Sequence, residues 1–301
     1  MRRLRQVVWL AVVFAGLVLS GTRAGAELKV YISADLEGVA GAVTPEQLGP
    51  DGFEYPRFRE MMTAEVLAAI EGAREAGATE ILVSDSHGNG QNLLLDRFPE
   101  EVTVIRSWPR PLMMMEGIDS TFDAAVFIGY HAATTTPAGV RAHTLSSARL
   151  AAVELNGQPM SEAGLNAALA GHFGVPVVMI SGDDVTVEET RRLLGSVEGA
   201  AVKRAISFHS AATLTPGAAQ TLIREKVRDA LHDLDRFEPH VLPTPIRLDV
   251  TFKNYRPAEL LAYLPSVERT TAHSVRFTGE NMVEVFRFLE FMLSYRVDLE
   301  P

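Results

Sequence analysis

The chain has 301 residues, of which 47% are hydrophobic and 22% charged, and its formal net charge at pH 7 is -10. This length and apolar content allow a large buried core and exclude disordered and low-complexity proteins. Acidic residues outnumber basic ones by 38 to 28, so we expect no nucleic-acid partner, because phosphate binding requires clustered positive charge. The absence of cysteine excludes disulfides and thiolate metal sites, so any metal must be bound by His, Asp or Glu.

Residues 1–26 have the features of a secretory signal peptide. Arg2, Arg3 and Arg5 precede an uninterrupted apolar run at 7–19, and the sequence AGA at 24–26 forms an A-x-A-type cleavage site. The run is shorter than the roughly 20 residues that span a bilayer, although an uncleaved membrane anchor is the alternative. We predict an exported, periplasmic protein that has no stable membrane association after cleavage.

Short apolar runs alternate with amphipathic helices along the rest of the chain. Strands are predicted at 28–33, 81–84, within 122–130 and at 175–181, and helices at 55–76, 161–173, 187–194 and 215–234. This alternation predicts an α/β fold, a three-layer α/β/α core with a mostly parallel sheet. We assign residues 27–237 to this domain.

A proline-rich segment at 238–245 follows the predicted core. It contains three prolines and is predicted to be a linker. Beyond it come an apolar run at 246–252, a helix from Pro257, a second run at 274–278 and a helix from Asn281. We predict that residues 238–301 form a smaller α+β C-terminal domain.

Polar side chains follow four of the predicted strands. The strands end in SADLEG at 33–38, SDSHG at 84–88, GYH at 129–131 and SGDD at 181–184. In parallel α/β sheets, ligands bind beyond the carboxyl ends of the strands. Carboxylates and imidazoles at that edge have the composition of an oxygen- and nitrogen-ligated metal site, and zinc suits it. Asp35 and Glu37 can face one cation if the backbone stays extended.

Each candidate also has an ordinary structural explanation. Asp35 taken alone is more typical of a turn, and a single histidine such as His87 or His131 is more often a hydrogen-bonded core or surface residue. Glu162, at the start of a predicted helix, is also favourably placed at the positive end of the helix dipole. The metal-site interpretation therefore depends on the convergence of these residues and not on any one of them.

The remaining sequence signals are weaker. Asp85 and the pair at 183–184 are either partners that orient histidines or helix caps. The GNG sequence at 88–90 lacks the last glycine of a dinucleotide-binding loop, and the chain has no HExxH, GxSxG or Walker-type motif. The three methionines at 113–115 fit either a core or a contact surface. Five histidines lack a ligand-like setting and are predicted to be solvated: His172, His209, His232, His240 and His273.

Taken together, these motifs resemble those of the zinc D-aminopeptidases of the DppA type. The matching segments lie at 33–38, 85–87, 129–131, 136–143, 162–167 and 182–184, in the same order and at similar spacing, and the resemblance extends from about residue 27 to the C-terminal helix. It implies two zinc ions in one site. The implied zinc ligands are Asp35, Glu37, His87, His131 and Glu162, with Asp35 bridging both ions. A histidine that takes part in catalysis corresponds to His143.

The resemblance implies a binuclear zinc aminopeptidase, a hydrolase that removes the N-terminal residue from short D-amino-acid peptides such as D-Ala-D-Ala through a metal-bridged hydroxide. Members of the family assemble as decamers of two stacked pentameric rings, which implies a homo-oligomer. The chain departs from the family pattern in its signal peptide and in one extra residue between His131 and His143. Two other functions stay open: another binuclear metal hydrolase (an L-peptidase, amidase or phosphoesterase), and a non-catalytic metal- or peptide-binding protein of the cell envelope.

Overall fold

The structure is a computed structural model that describes residues 27–295. The predicted signal peptide at 1–26 lies outside the described residues. Within the described part of the chain, no helix is both long enough and apolar enough to cross a membrane.

Two β-sheets and six α-helices make up the described fold. In chain order the strands are β1 (Leu28–Ala34), β2 (Ala78–Asp85), β3 (Thr103–Ile105), β4 (Ala124–Ile128), β5 (Leu150–Leu155), β6 (Gln158–Pro159), β7 (Val177–Asp183), β8 (Glu198–Ser207), β9 (Ser210–Thr213), β10 (Ile246–Phe252), β11 (Val267–Arg269) and β12 (Ser274–Gly279). The helices are α1 (Tyr55–Glu75), α2 (Glu162–His172), α3 (Asp184–Leu194), α4 (Pro216–His232), α5 (Tyr255–Leu261) and α6 (Met282–Ser294).

The larger sheet has seven strands in the order β3-β2-β1-β4-β7-β8-β9. Every neighbouring pair in it is parallel except β8 and β9, which form an antiparallel hairpin at one edge. The smaller sheet has five antiparallel strands in the order β11-β12-β10-β5-β6. The predicted fold class, a mostly parallel α/β core with a smaller α+β unit, is confirmed.

Side-chain alternation along the central strands builds the layers. On β1, Val30 and Ile32 point into a core shared with α1 and α4, whereas Tyr31 points into the opposite core, which contains residues of α2 and α6. Strand β4 repeats this pattern, with Val126 on the α1 side and Phe127 on the other. Because successive residues of a strand face opposite sides, both faces of the sheet are covered by apolar layers.

The observed elements differ from the predicted ones in two informative places. Helix α3 begins at Asp184, three residues before the predicted start, because the Asp183 side chain accepts a hydrogen bond from the Thr186 amide at 2.7 Å and caps the helix. Six observed strands are absent from the prediction: β3, β5, β6, β8, β9 and β11. Strand β5 pairs with β10, and β6 pairs with β5. The smaller sheet therefore combines strands from before and after the predicted linker, and the domain boundary at 238 stays a prediction.

Candidate metal centre

The carboxyl ends of three neighbouring parallel strands deliver the candidate residues to one edge of the sheet. Asp35 and Glu37 follow β1, His87 follows β2, and His131 follows β4. Glu162 is the first residue of α2, whose N-cap residue Ser161 accepts a hydrogen bond from an amide of the first turn. All five side chains are buried. The five predicted ligands therefore lie together, as the convergence argument requires.

Two glycines allow the loops after β1 and β4 to pack closely. The Gly38 amide donates to the Gly129 carbonyl at 2.7 Å. A Cβ on Gly38 would lie 2.0 Å from the Tyr130 carbonyl oxygen, and one on Gly129 would lie 2.2 Å from the Asp35 carbonyl oxygen. Gly129 also has a φ of 71°, a left-handed conformation that glycine adopts at little cost. No other residue type fits these two positions without moving the backbone of the site.

Asp35, Glu37 and His87 form the first group of possible ligands. The Nδ1 atom of His87 lies 3.0 Å from Oδ1 of Asp35 and 2.8 Å from Oε2 of Glu37. Its Nε2 atom lies 2.6 Å from the Leu48 carbonyl oxygen, which can only accept, so Nε2 carries the proton. In the neutral ring the Nδ1 lone pair then faces two carboxylates, which repel it. A cation bound between Nδ1 and these carboxylates makes the arrangement favourable.

Asp35, His131 and Glu162 form the second group. The Nε2 atom of His131 lies 3.3 Å from Oδ2 of Asp35 and 3.4 Å from Oε2 of Glu162, and its Nδ1 lies 3.1 Å from the Ala132 carbonyl oxygen. Asp35 thus offers one carboxylate oxygen to each group. The buried atoms Oδ2 of Asp35, Oε2 of Glu37 and Nε2 of His131 have no hydrogen-bond partner, as expected of atoms that bind a metal ion.

His143 lies beside these two groups. Its ring stacks on that of His131, with centroids 4.0 Å apart and an angle of 7° between the planes. Its Nδ1 lies 2.8 Å from the Arg141 carbonyl oxygen, and its Nε2 lies 4.0 Å from Glu37 and 3.8 Å from Glu162. Glu37, His131 and His143 form a third possible ligand group, so the geometry suits either a ligand or a proton carrier at His143.

The ionised forms of these buried groups depend on one another. Burial raises the pKa of the Asp35 carboxyl, but its contacts with His131 and His87 outweigh this and hold that pKa well below its ordinary value. Burial lowers the pKa of His87 and His131, yet the adjacent carboxylates raise both well above 6.5. Protons on the two imidazoles therefore balance the buried negative charge, and a divalent cation balances it when it displaces those protons.

A cavity of about 540 Å³ opens over this cluster, and all six predicted site residues line it. Its other walls include Trp108, Met113, Met114 and Leu145, together with Arg149 and Glu290. Met113, Met114 and Met115 are all buried, so the methionine run contributes to the core and to the cavity wall. The cavity thus combines an acidic, histidine-containing floor with walls that are partly apolar and partly polar, which suits a small ligand that carries polar groups.

The weaker sequence candidates have structural roles around the site. Oδ2 of Asp85 accepts the Asn92 and Leu93 amides at 2.6 and 2.8 Å, which shapes the loop after His87. Asp183 caps α3 and also accepts the Val140 amide at 2.7 Å. Among residues 27–295, the five histidines that were predicted to be solvated belong to none of the possible metal-binding groups. Four of them are exposed, as predicted: His172, His209, His232 and His273. The prediction is wrong for His240, which is half-buried and whose Nε2 atom is buried without a hydrogen-bond partner.

One residue that the sequence analysis does not single out is Lys203 of β8. It is 3% exposed, and burial lowers its pKa to about 8, although nearby carboxylates, first among them Asp183, oppose this. The only sequence signal is a pair of basic residues, Lys203 and Arg204, between short apolar stretches, which does not reveal what the Lys203 ammonium group contacts. The Trp108, Arg149 and Glu290 side chains of the cavity wall carry no motif that identifies them.

Comparison with known proteins identifies the family of this chain. The sequence profile of the D-aminopeptidase family of peptidases matches residues 28–291. A D-aminopeptidase of Bacillus subtilis (strain 168) is 36% identical over 266 residues, which is 88% of this chain and 96% of that protein. The solved structure of a Zn-dependent D-aminopeptidase, DppA from Bacillus subtilis, described as a self-compartmentalizing protease, has a TM-score of 0.85 at 34% identity and covers 90% of this chain and 100% of that chain. The resemblance inferred from the motifs is confirmed: the chain belongs to the D-aminopeptidase family.

Proposed function

We propose that this chain is a zinc-dependent aminopeptidase that hydrolyses the N-terminal residue from short D-amino-acid peptides, with two zinc ions bound per subunit. The observation that carries the proposal is the pair of ligand groups that share Asp35. Family membership supports the reaction class, and the solved relative is zinc-dependent.

The ligand atoms fit zinc. One ion would be held by Asp35, Glu37 and His87, and the other by Asp35, His131 and Glu162. Carboxylate oxygens and imidazole nitrogens are ordinary zinc ligands, and three protein ligands leave further positions open, as catalytic sites require. Both histidines give their second ring nitrogen to a backbone carbonyl, the arrangement that orients histidine ligands in metalloproteins. Bound zinc would lower the pKa of water toward neutrality and polarise the scissile carbonyl.

The residues of this chain would orient the substrate and move its protons. With both zinc ions bound, the three floor carboxylates are neutralised, so the free ammonium group of a peptide N-terminus would be attracted by Glu290, a cavity-wall carboxylate that belongs to none of the ligand groups. Because Nδ1 of His143 donates to the Arg141 carbonyl, Nε2 is the atom that can take up a proton and deliver it to the leaving amine. Oε1 of Glu162 accepts the Leu145 amide at 2.7 Å, which fixes its carboxylate and leaves Oε2 facing His131.

The cavity volume and the sequence support further parts of the proposal. A cavity of about 540 Å³ suits a dipeptide or tripeptide, since pockets for small molecules typically measure roughly 300–1,000 Å³. We also propose that the chain is exported to the periplasm, on the basis of the signal-like residues 1–26, where D-alanine peptides from wall turnover are available. We further propose a homo-oligomer, a decamer as the family resemblance implies, which would restrict substrates to short peptides.

The test compares alanine release from D-Ala-D-Ala and L-Ala-L-Ala by the zinc-loaded mature protein, with and without a chelator. We expect chelator-sensitive cleavage of the D-dipeptide only, and two zinc ions per chain by elemental analysis. Cleavage of only the L-dipeptide would keep the metal hydrolase and overturn the stereochemistry. Stoichiometric zinc without cleavage of either peptide would overturn the peptidase and favour another hydrolase substrate or a binding role.

A further inference from the structure

A buried ammonium group lies beneath the loop that carries Glu37. Lys203 of β8 donates hydrogen bonds to the carbonyl oxygens of Glu37, Val39 and Ala42; the distances to the last two are 3.0 and 2.6 Å. These three acceptors belong to one short turn segment, residues 37–42. Three carbonyls converge on one Nζ atom only when the segment curves around it, so the lysine and the shape of this loop depend on each other.

A β-bulge turns this lysine inward. Pairing between β7 and β8 runs from Gly182 with Ala201 to Asp183 with Lys203, so the register skips Val202. Val202 and Lys203 are consequently both buried, although adjacent residues of a regular strand face opposite sides. Bulges next to active sites commonly redirect a side chain, and here the redirected side chain reaches the Glu37 backbone.

Helix α1 makes a further contact with the same loop. Oε1 of Glu65, which is 1% exposed, accepts the Ala40 amide at 2.9 Å. Two buried ionisable side chains therefore hold a loop that has no regular secondary structure of its own. Burying an ammonium group is costly unless all of its protons find acceptors, and the loop supplies three. No hydrogen bond from Lys203 reaches the His131 or Glu162 side of the metal centre.

We propose that Lys203 is a positioning residue that fixes the Glu37 backbone so that the Glu37 carboxylate completes one of the two zinc positions. This proposal rests on the proposed function. Its consequence is asymmetric, because Lys203 supports the Asp35–Glu37–His87 group and not the Asp35–His131–Glu162 group. Removing the ammonium group frees three carbonyls from their shared donor and lets the Glu37 loop relax, whereas the second group keeps its supports.

The experiment titrates zinc against a competing chelator in the mature wild type, Lys203→Met and Ile223→Ala, and records the melting temperature of each. Ile223 is a fully buried residue of α4 in the apolar core that also contains Val39 and Ala42. Its truncation therefore controls for a general loss of stability. We expect Lys203→Met to bind one zinc like the wild type and the other about 10–100-fold more weakly, the usual effect of removing a residue that supports a ligand. Ile223→Ala should bind both normally.

Two wild-type-like zinc affinities in Lys203→Met would overturn the role of Lys203 and leave the binuclear centre standing. Equal weakening of both ions, or the same loss in Ile223→Ala, would also overturn it, because a general loss of stability would explain the result. A wild type that binds a single zinc would overturn the binuclear proposal itself and this inference with it. If Lys203→Met does not fold, Lys203→Gln, which keeps a shorter neutral donor, is titrated instead and must weaken the same single ion.

Discussion

A methyl group at Gly38 tests how closely the two ligand-bearing loops are packed. In Gly38→Ala the new Cβ would start 2.0 Å from the Tyr130 carbonyl oxygen and 2.4 Å from the Gly129 carbonyl carbon. Both neighbours are backbone atoms and cannot rotate away. Reaching ordinary van der Waals contact at about 3.5 Å requires the loop carrying Asp35 and Glu37 to move by more than about 1 Å relative to the loop carrying His131.

A displacement of about 1 Å in a catalytic constellation can lower the rate about 100-fold. Overpacking of this kind also costs about 1–3 kcal/mol of stability, which lowers the melting temperature by roughly 2–10 °C in a domain of this size. We therefore expect Gly38→Ala to fold, to melt a few degrees lower and to lose about 100-fold in kcat/KM for D-Ala-D-Ala. The assay follows alanine release, with melting recorded by circular dichroism.

Gly49→Ala is the matched control, because a Cβ on Gly49 has no atom within 4 Å. This variant should keep wild-type activity and melting temperature. The reasoning is refuted if Gly38→Ala retains activity within about threefold of the control, since the loops would then tolerate a separation that the ligand geometry forbids.

Three further predictions concern single side chains. Asp35→Ala should lose most of the bound zinc, because Asp35 belongs to both ligand groups; elemental analysis that still finds two ions would contradict the bridging role. His143→Ala should lower kcat about 100-fold or more while the zinc content stays unchanged. The control is His209→Ala, because His209 is an exposed histidine. Loss of zinc in His143→Ala would instead show that His143 is a ligand. Burial raises the pKa of Glu65 from 4.5 to about 7, so folding favours the protonated carboxyl. The contribution of this carboxyl to stability is therefore fully present below pH 4.5 and is lost as the pH rises through 7. The free energy of unfolding of Glu65→Gln, relative to that of the wild type, should consequently increase by about 3 kcal/mol between pH 4.5 and pH 8, because a tenfold change in proton affinity is worth about 1.4 kcal/mol. Urea unfolding of both proteins measures this difference, and a difference that stays constant across the pH range would exclude the pKa shift.

Four of the seven strands and all four helices of the parallel core were predictable, because each of these elements leaves a local signal. Apolar runs such as that of β1, and caps such as Ser161 before α2, act over a few residues and need no tertiary information. Other strands were not predictable from local sequence. Strand β5, with the sequence LAAVEL, is rich in the helix-favouring residues Leu, Ala and Glu. Only pairing with β10 makes it a strand, since sheet propensity depends on the neighbouring strand.

The candidate ligands were also predictable from sequence, because parallel strands bring their carboxyl ends to one edge of the sheet. The residues that follow those strands carry carboxylates and imidazoles, which are metal-binding groups: Asp35, Glu37, His87 and His131. Composition alone determined that any metal is held by oxygen and nitrogen atoms, since the chain has no cysteine. The tertiary structure decided which atoms face one another: which ring nitrogen of each histidine faces a carboxylate, and how Asp35 divides its two oxygens. The tertiary structure also decided the role of Lys203, because a one-residue bulge changes the face of the sheet to which a side chain points. The bulge depends on pairing between distant segments and leaves no signal in the local sequence.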